Sequence, residues 1–200
     1  NGGQMGTGQR AWAEELEAEL GFERARLLFD IAEEAKAHLI DFTRANGIEI
    51  DYRPGQLSVA HKARFVDDYR AHARIMTERF GYPHLSFMDR EETRERLGTG
   101  AYFGGVRDTG TGHIHPLKLA LGTARVAQQA GARIHENTRA TGLAKRAGKV
   151  VVSTARGTIT ADKALVAVNA YDSRLEPVTA AHVMPIGSFI GAPVPLGDDS

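Results

Sequence analysis

The sequence predicts an α+β (mixed α/β) chain, helices first and then a helix followed by antiparallel strands. Two long stretches in the first half carry apolar residues at spacings of three and four, the period of an amphipathic helix. The second half changes to short alternating runs separated by tight turns. No internal repeat and no low-complexity linker interrupts the 200 residues, so the order of elements points to mixed layers rather than a solenoid.

The elements follow in order. Leu28, Ala32, Ala35, Leu39 and Phe42 form one apolar stripe, and Gly47 in "ANG" is placed for a left-handed cap at the helix end. "IEIDY" and "GQLSVA" alternate around "RPG" and read as two short strands joined by a turn. A second long helix carries Phe65, Tyr69, Ala73, Met76 and Phe80 on one face, with Gly81 closing it. Asp89 and Glu92 have the spacing of a capping box for a short third helix. "AYFGGVRD" reads as a strand and "TGTGHI" as the loop after it. Pro116 then opens a helix running to about Gly131, with Leu117, Leu121 and Ala124 expected to face inward. "ARIHEN", "RATGLAKR", "KVVVSTA", "GTITA" and "KALVAV" are the expected strands, with turns at "AGK" and "ARG". A last strand pair is expected within "HVMPIGSFIGAPV".

Composition narrows the function. Lys+Arg and Asp+Glu both total 25, giving zero formal charge. Nucleic acid and anionic membrane surfaces require a basic face, so neither is expected as the main partner. The absence of cysteine excludes disulfides, thiolate catalysis and Cys-based zinc sites, and it suits a cytoplasmic protein. The longest purely apolar run, "ALVAV", is far short of a membrane span.

The motifs that catch the eye carry little by themselves. "GTGQRA" (6–11) has the letters of a dinucleotide fingerprint but lacks the hydrophobic strand that must feed it and the acidic residue that should follow. "TGTG" (109–112) lacks the Lys-Ser/Thr of a phosphate-binding loop. His113, His115 and His135 have no Asp, Glu or Cys partner at a diagnostic metal-binding distance, and no G-x-S-x-G marks a nucleophile. "ADKALVAVNAYDSRL" (161–175) reads either as a strand whose small terminal residues let a cofactor approach the backbone, or as a plain buried strand and turn.

Taken together, "NGGQ", "GHIHPLKLALGTARVAQQAGARIHENTRATGL", "ITADKALVAVNAY" and "MPIGSFI" resemble FAD-dependent amine oxidoreductases. These form the superfamily of D-amino acid oxidase, glycine oxidase and sarcosine oxidase, and the closest likeness is to gamma-glutamylputrescine oxidoreductase-like members. The resemblance spans nearly the whole chain and implies a FAD cofactor, a small-molecule amine substrate and oxidation of a C–N bond by hydride transfer to the flavin. It leaves the catalytic residues unassigned. By position, Gly2, Gly3 and Gln4 resemble the loop that passes the flavin side of the cofactor. Ala140 matches a position whose backbone meets the adenine, where many relatives have Val. Ala167, Asn169 and Ala170 resemble a strand end packed near the dinucleotide.

The resemblance also implies a segment cut from the middle of a larger enzyme. The upstream βαβ nucleotide-binding unit and a glycine-containing C-terminal segment are then absent. The corresponding division assigns residues 1–50 and 113–175 to the FAD-binding domain, 51–112 to the substrate domain, and 176–200 to the start of a second substrate-domain segment. Such a piece is expected to bind FAD poorly alone, and to self-associate through strand edges that normally pair elsewhere. The same-family alternative is a D-amino acid or glycine/sarcosine oxidoreductase. The alternative of another class is a non-catalytic α+β binding domain.

Overall fold

The structure, a computed structural model, describes residues 2–169, 171, 175–184 and 186–187. It divides into two compact units, Asn1–Arg133 and Ile134–Ser200, each of which mixes helices and antiparallel strands.

The first unit is built on a four-stranded antiparallel sheet. Strands β1 (Gln4–Met5), β2 (Arg53–Val59), β3 (Leu85–Met88) and β4 (Gly105–His113) contribute to it, with β4 in the middle. Strand β2 runs along one edge of β4, while β3 pairs at Gly105–Asp108 and β1 at Gly112–His113. Helices α1 (Ala13–Leu20), α2 (Phe22–Ala45) and α3 (Val66–Glu78) supply the main core. There Ala25 and Phe29 meet Ala73, Met76, Phe80, Tyr82, Leu85 and Val106. A short helix α4 (Arg90–Leu97) starts at Asp89, whose side chain accepts the Glu92 N–H as the spacing predicts. Helix α5 (Pro116–Gln129) starts at Pro116 and completes a second cluster, in which Leu119 and Val126 pack on Ile48, Ile50 and Ile114.

The second unit is a three-stranded meander of β5 (Ala140–Arg146), β6 (Lys149–Thr154) and β7 (Gly157–Ala161), followed by helix α6 (Pro177–His182). Its first hairpin turns through Ala147 (φ 48°) and Gly148 (φ 77°), two consecutive left-handed residues that match the twist of the flanking strands.

Several elements differ from expectation, each for a tertiary reason. "IEIDY" is not a strand, and "RPG" is not a turn but the start of β2, where a bulge at Gly55 absorbs the proline. "TGTG" is not a loop. It continues β4, because β1 and β2 offer hydrogen-bonding partners on both of its edges. "ARIHEN" and "KALVAV" are not strands, since no described strand pairs with them. Leu117 and Leu121 point outward, at 59% and 63% exposure, while Leu119 and Val126 face the core. The apolar stripe of α2 is displaced too: Ala25, Phe29, Lys36 and Thr43 are its buried residues, and Ala35 is exposed. The expected strand pair in "HVMPIGSFIGAPV" lies mostly outside the described residues. No helix among the described residues is long and apolar enough to cross a membrane.

Candidate functional site

The sequence-predicted residues fall on both units. Gly2, Gly3 and Gln4 lie in the first, the two glycines leading into β1 and Gln4 as its first residue. Ala140 opens β5 in the second, half-buried and opposite Thr154. Ala167 and Asn169 are exposed in an irregular segment, Asn169 with a left-handed backbone (φ 54°). The expected strand end there is therefore a turn, in which the Tyr171 N–H reaches the Val168 carbonyl at 3.2 Å. Ala170 lies outside the described residues.

The glycine loop has a defined local geometry. Gly3 is buried with φ 85°, and its carbonyl accepts the Ile114 N–H at 2.8 Å. A Cβ at Gly3 would stand inside 3 Å of the Ile114 carbonyl oxygen, so the loop can lie against β4 and the start of α5 only with glycine there. Gly2 is the opposite case. It is exposed, and nothing lies within 4 Å of where its Cβ would be. Gly3 is thus held against the protein while Gly2 beside it is open, and a residue without a side chain lets another group come close to main chain.

Next along the chain, the "GTGQRAW" segment lines a cavity of about 250 Å³ within the first unit. Thr7, Trp12, Tyr69, His72, Tyr82 and Asp108 form its polar and aromatic walls. "GTGQRA" therefore sits beside a cavity, but the strand before it is the two-residue β1 of an antiparallel sheet, not the parallel strand of a dinucleotide fold.

Two polar groupings border this cavity. In the first, Tyr82 donates to Asp108 Oδ1 at 2.7 Å and lies 2.8 Å from Thr7 Oγ1. Burial, then the adjoining Asp108 carboxylate, hold the Tyr82 phenol well above its ordinary pKa despite an opposing pull from Thr7, so it remains a donor. Lys36, 9% exposed, donates to Thr7 Oγ1 at 2.8 Å and to the Gly110 carbonyl at 2.9 Å. Gly110 lacks a Cβ because the Tyr82 hydroxyl occupies that space.

In the second grouping, the Trp12 ring stacks on His72 with centroids 4.5 Å apart, and His72 Nδ1 donates to Glu14 at 2.9 Å. Burial works to raise the Glu14 pKa, but the bonds from His72 and its own backbone, with the His72 charge, together hold it below 4.5. A folded pKa below the unfolded one contributes stability above the unfolded value, and that contribution is lost as pH falls through the folded value. The melting temperature of wild type should therefore exceed that of Glu14→Gln at about pH 6, with the gap closing toward about pH 3. A gap that persists in acid would show that the pair contributes by packing alone.

The histidines singled out in the sequence have ordinary placements. His115 Nδ1 accepts the Lys118 N–H at 3.4 Å at the start of α5, and His113 is exposed at the end of β4, opposite Gln4. No group of three His, Cys, Asp or Glu side chains able to hold a metal occurs among the described residues. Sequence reasoning missed Lys36. Its signal was present, because Phe29, Lys36 and Thr43 recur at heptad spacing on the buried face of α2.

Comparison with known proteins decides the family. The model of the family described as "FAD dependent oxidoreductase" matches residues 1–197. The chain belongs to this family. It is 60% identical over 192 residues to "Probable oxidoreductase OrdL" of Rhizobium meliloti (strain 1021), covering 96% of this chain and 45% of that protein. It is 31% identical over 200 residues to the gamma-glutamylputrescine oxidoreductase of Escherichia coli (strain K12), covering 100% of this chain and 46% of that protein. The chain thus spans less than half the length of these relatives. Among solved structures, glycine oxidase from Geobacillus kaustophilus superposes with a TM-score of 0.65 at 24% identity, over 86% of this chain and 45% of that one. L-proline dehydrogenase from P. horikoshii gives 0.62 at 19% identity, over 91% and 46%. These likenesses establish the fold, and FAD is the cofactor of the family.

Proposed function

We propose that the protein carrying this chain oxidises the C–N bond of an amine such as gamma-glutamylputrescine, with FAD as hydride acceptor. The observation that carries the proposal is the glycine loop. Gly3 packs against the Ile114 carbonyl, while Gly2 and Gln4 are exposed beside it, leaving main chain open to a flat ring system. The 31% identity to gamma-glutamylputrescine oxidoreductase supports the amine class.

A bound FAD would supply the hydride acceptor for oxidation of the C–N bond, leaving an imine for water to hydrolyse. What this chain supplies is placement. Gly2, Gly3 and Gln4 would face the flavin side of the cofactor, with Gly3 held to Ile114 so that the loop keeps its position. Ala140, Ala167, Asn169 and Ala170 would adjoin the adenine and dinucleotide portions. The amine must be neutral to yield its hydride, and a poorly hydrated surrounding favours the neutral form. Trp12 and Tyr69 give the cavity two aromatic walls against which part of a small amine would pack.

The test is a visible spectrum of the full-length protein, followed by anaerobic addition of gamma-glutamylputrescine. Bleaching of bound flavin is the expected result. A flavin that stays oxidised with this amine but bleaches with a D-amino acid or N-methylglycine would favour the same-family alternative. A colourless protein would sink the flavoenzyme reading.

A further inference from the structure

Lys36 is a buried cation on a helix that is otherwise apolar at its buried positions, apart from Thr43. Burying an ammonium costs several kcal/mol before any partner is counted, and methionine or leucine would fill the same volume without that cost. The partners show what the charge does. Lys36 Nζ donates to Thr7 Oγ1 and to the Gly110 carbonyl, and it lies 2.8 Å from Glu33. Tyr82 has a single hydroxyl proton, and that proton goes to Asp108. Tyr82 must therefore accept from Thr7, whose own oxygen accepts from Lys36. Asp108 in turn accepts the Gly110 N–H at 2.9 Å. The bonds close a ring from Lys36 through Thr7, Tyr82, Asp108 and Gly110 back to Lys36, with donor directions fixed by a cation at one point and a carboxylate at another.

This ring completes a series of anchors along residues 3–7. The Gly3 carbonyl is held by the Ile114 N–H, Gln4 and Met5 pair with His113 and Gly112, and the Met5 carbonyl accepts from Thr111. Beyond Met5 the strand ends, and the side chain of Thr7 is fixed by Lys36 and Tyr82. We propose that Lys36 is a positioning residue for the glycine loop: acting through Thr7, it fixes the far end of the segment whose near end borders the flavin. This rests on the assignment of Gly2–Gln4 to the flavin side.

The test uses the full-length protein as wild type, Lys36→Met, Lys36→Arg and Thr7→Val. Thr7→Val leaves the ammonium its Gly110 and Glu33 partners, so it reports on the loop if Lys36→Met fails to fold. Amide hydrogen exchange of the peptide covering residues 2–8 is measured with and without FAD, alongside the FAD dissociation constant and the flavin absorption spectrum. Both Lys36→Met and Thr7→Val remove the charge-assisted hydrogen bond between Lys36 and Thr7, along with other contacts of the replaced side chain, and should speed exchange and weaken FAD binding on the order of tenfold. A shifted flavin spectrum should accompany these changes, and Lys36→Arg should recover part of them. Exchange and FAD affinity equal to wild type in folded Thr7→Val would overturn the proposal. So would faster exchange spread evenly over the first unit, which marks a merely structural role. Faster exchange of residues 2–8 with unchanged FAD affinity would refute the flavin-side assignment while retaining the clamp. A wild-type protein that binds FAD but oxidises no amine would refute the proposed activity and leave this test intact.

Discussion

Gly3→Ala is expected to lower flavin-dependent turnover about 100-fold, the scale on which displacements of roughly 1 Å act at a reacting centre. Two effects coincide. The backbone at φ 85° disfavours any side chain, and the new Cβ would overlap the Ile114 carbonyl oxygen and approach Pro116 Cδ at 3.1 Å. The loop must retreat from β4 and the start of α5, breaking the 2.8 Å bond from Ile114. Gly2→Val supplies the contrast. Its side chain meets nothing within 4 Å in the chain itself, so melting temperature should be unchanged. On the proposed reading the added bulk would enter the space of the flavin, and the protein should purify with little FAD. Full flavin content in Gly2→Val would place the cofactor elsewhere, whereas equal loss of stability in both variants would show that the loop serves only the fold.

Phe80→Ala is expected to destabilise the first unit by about 3–5 kcal/mol, the usual range for removing a fully buried aromatic side chain. Phe80 is 1% exposed, and its ring meets Phe22 and Phe29, each with centroids 5.6 Å away. Its carbonyl also accepts from Arg26 at 3.1 Å. The residue therefore joins α2 to the segment following α3, and a cavity there cannot collapse without separating the two. Arg96→Ala is the control. Its partner Glu92 is one helical turn away, and both side chains are about 40% exposed (38% and 41%), so the change should stay within about 0.5 kcal/mol. Denaturant midpoints of the two variants measure the difference. A Phe80→Ala protein as stable as the Arg96 variant would mean that the aromatic cluster repacks freely.

The two long helices were legible because an amphipathic period records itself in every turn, whereas the short helices Ala13–Leu20 and Pro177–His182 offer too few turns to show one. The starts at Asp89 and Pro116 were equally legible, since capping chemistry is local. The buried face was harder. Leu28, Ala32, Ala35, Leu39 and Phe42 satisfy the period, yet α2 lies between two clusters and buries Ala25, Phe29, Lys36 and Thr43 most deeply. Hydrophobicity alone cannot rank a lysine above an alanine for burial; only the partners converging on Lys36 Nζ do so. Leu117 and Leu121 fail in the same way, because Ile48, Ile50 and Ile114 meet the opposite side of α5.

Strands show the same division. The hairpin at Ala147 and Gly148 is written in adjacent residues, whereas "TGTG" became strand through β1 and β2, whose partner residues lie some 50 to 110 positions away in the chain. By itself the sequence determined the α+β class, the two long helices, the helix starts at Asp89 and Pro116, the tight hairpins and, through its resemblance, the FAD-dependent family. Those are properties of neighbouring residues or of ordered motifs. It did not single out the helices Ala13–Leu20 and Pro177–His182. The tertiary structure alone decided which glycine is sterically obligatory, that Lys36, Thr7, Tyr82, Asp108 and Gly110 close one hydrogen-bonded ring, and which apolar runs become strands. Each of these depends on groups far apart in the chain meeting at distances near 3 Å, and local composition carries no record of such meetings.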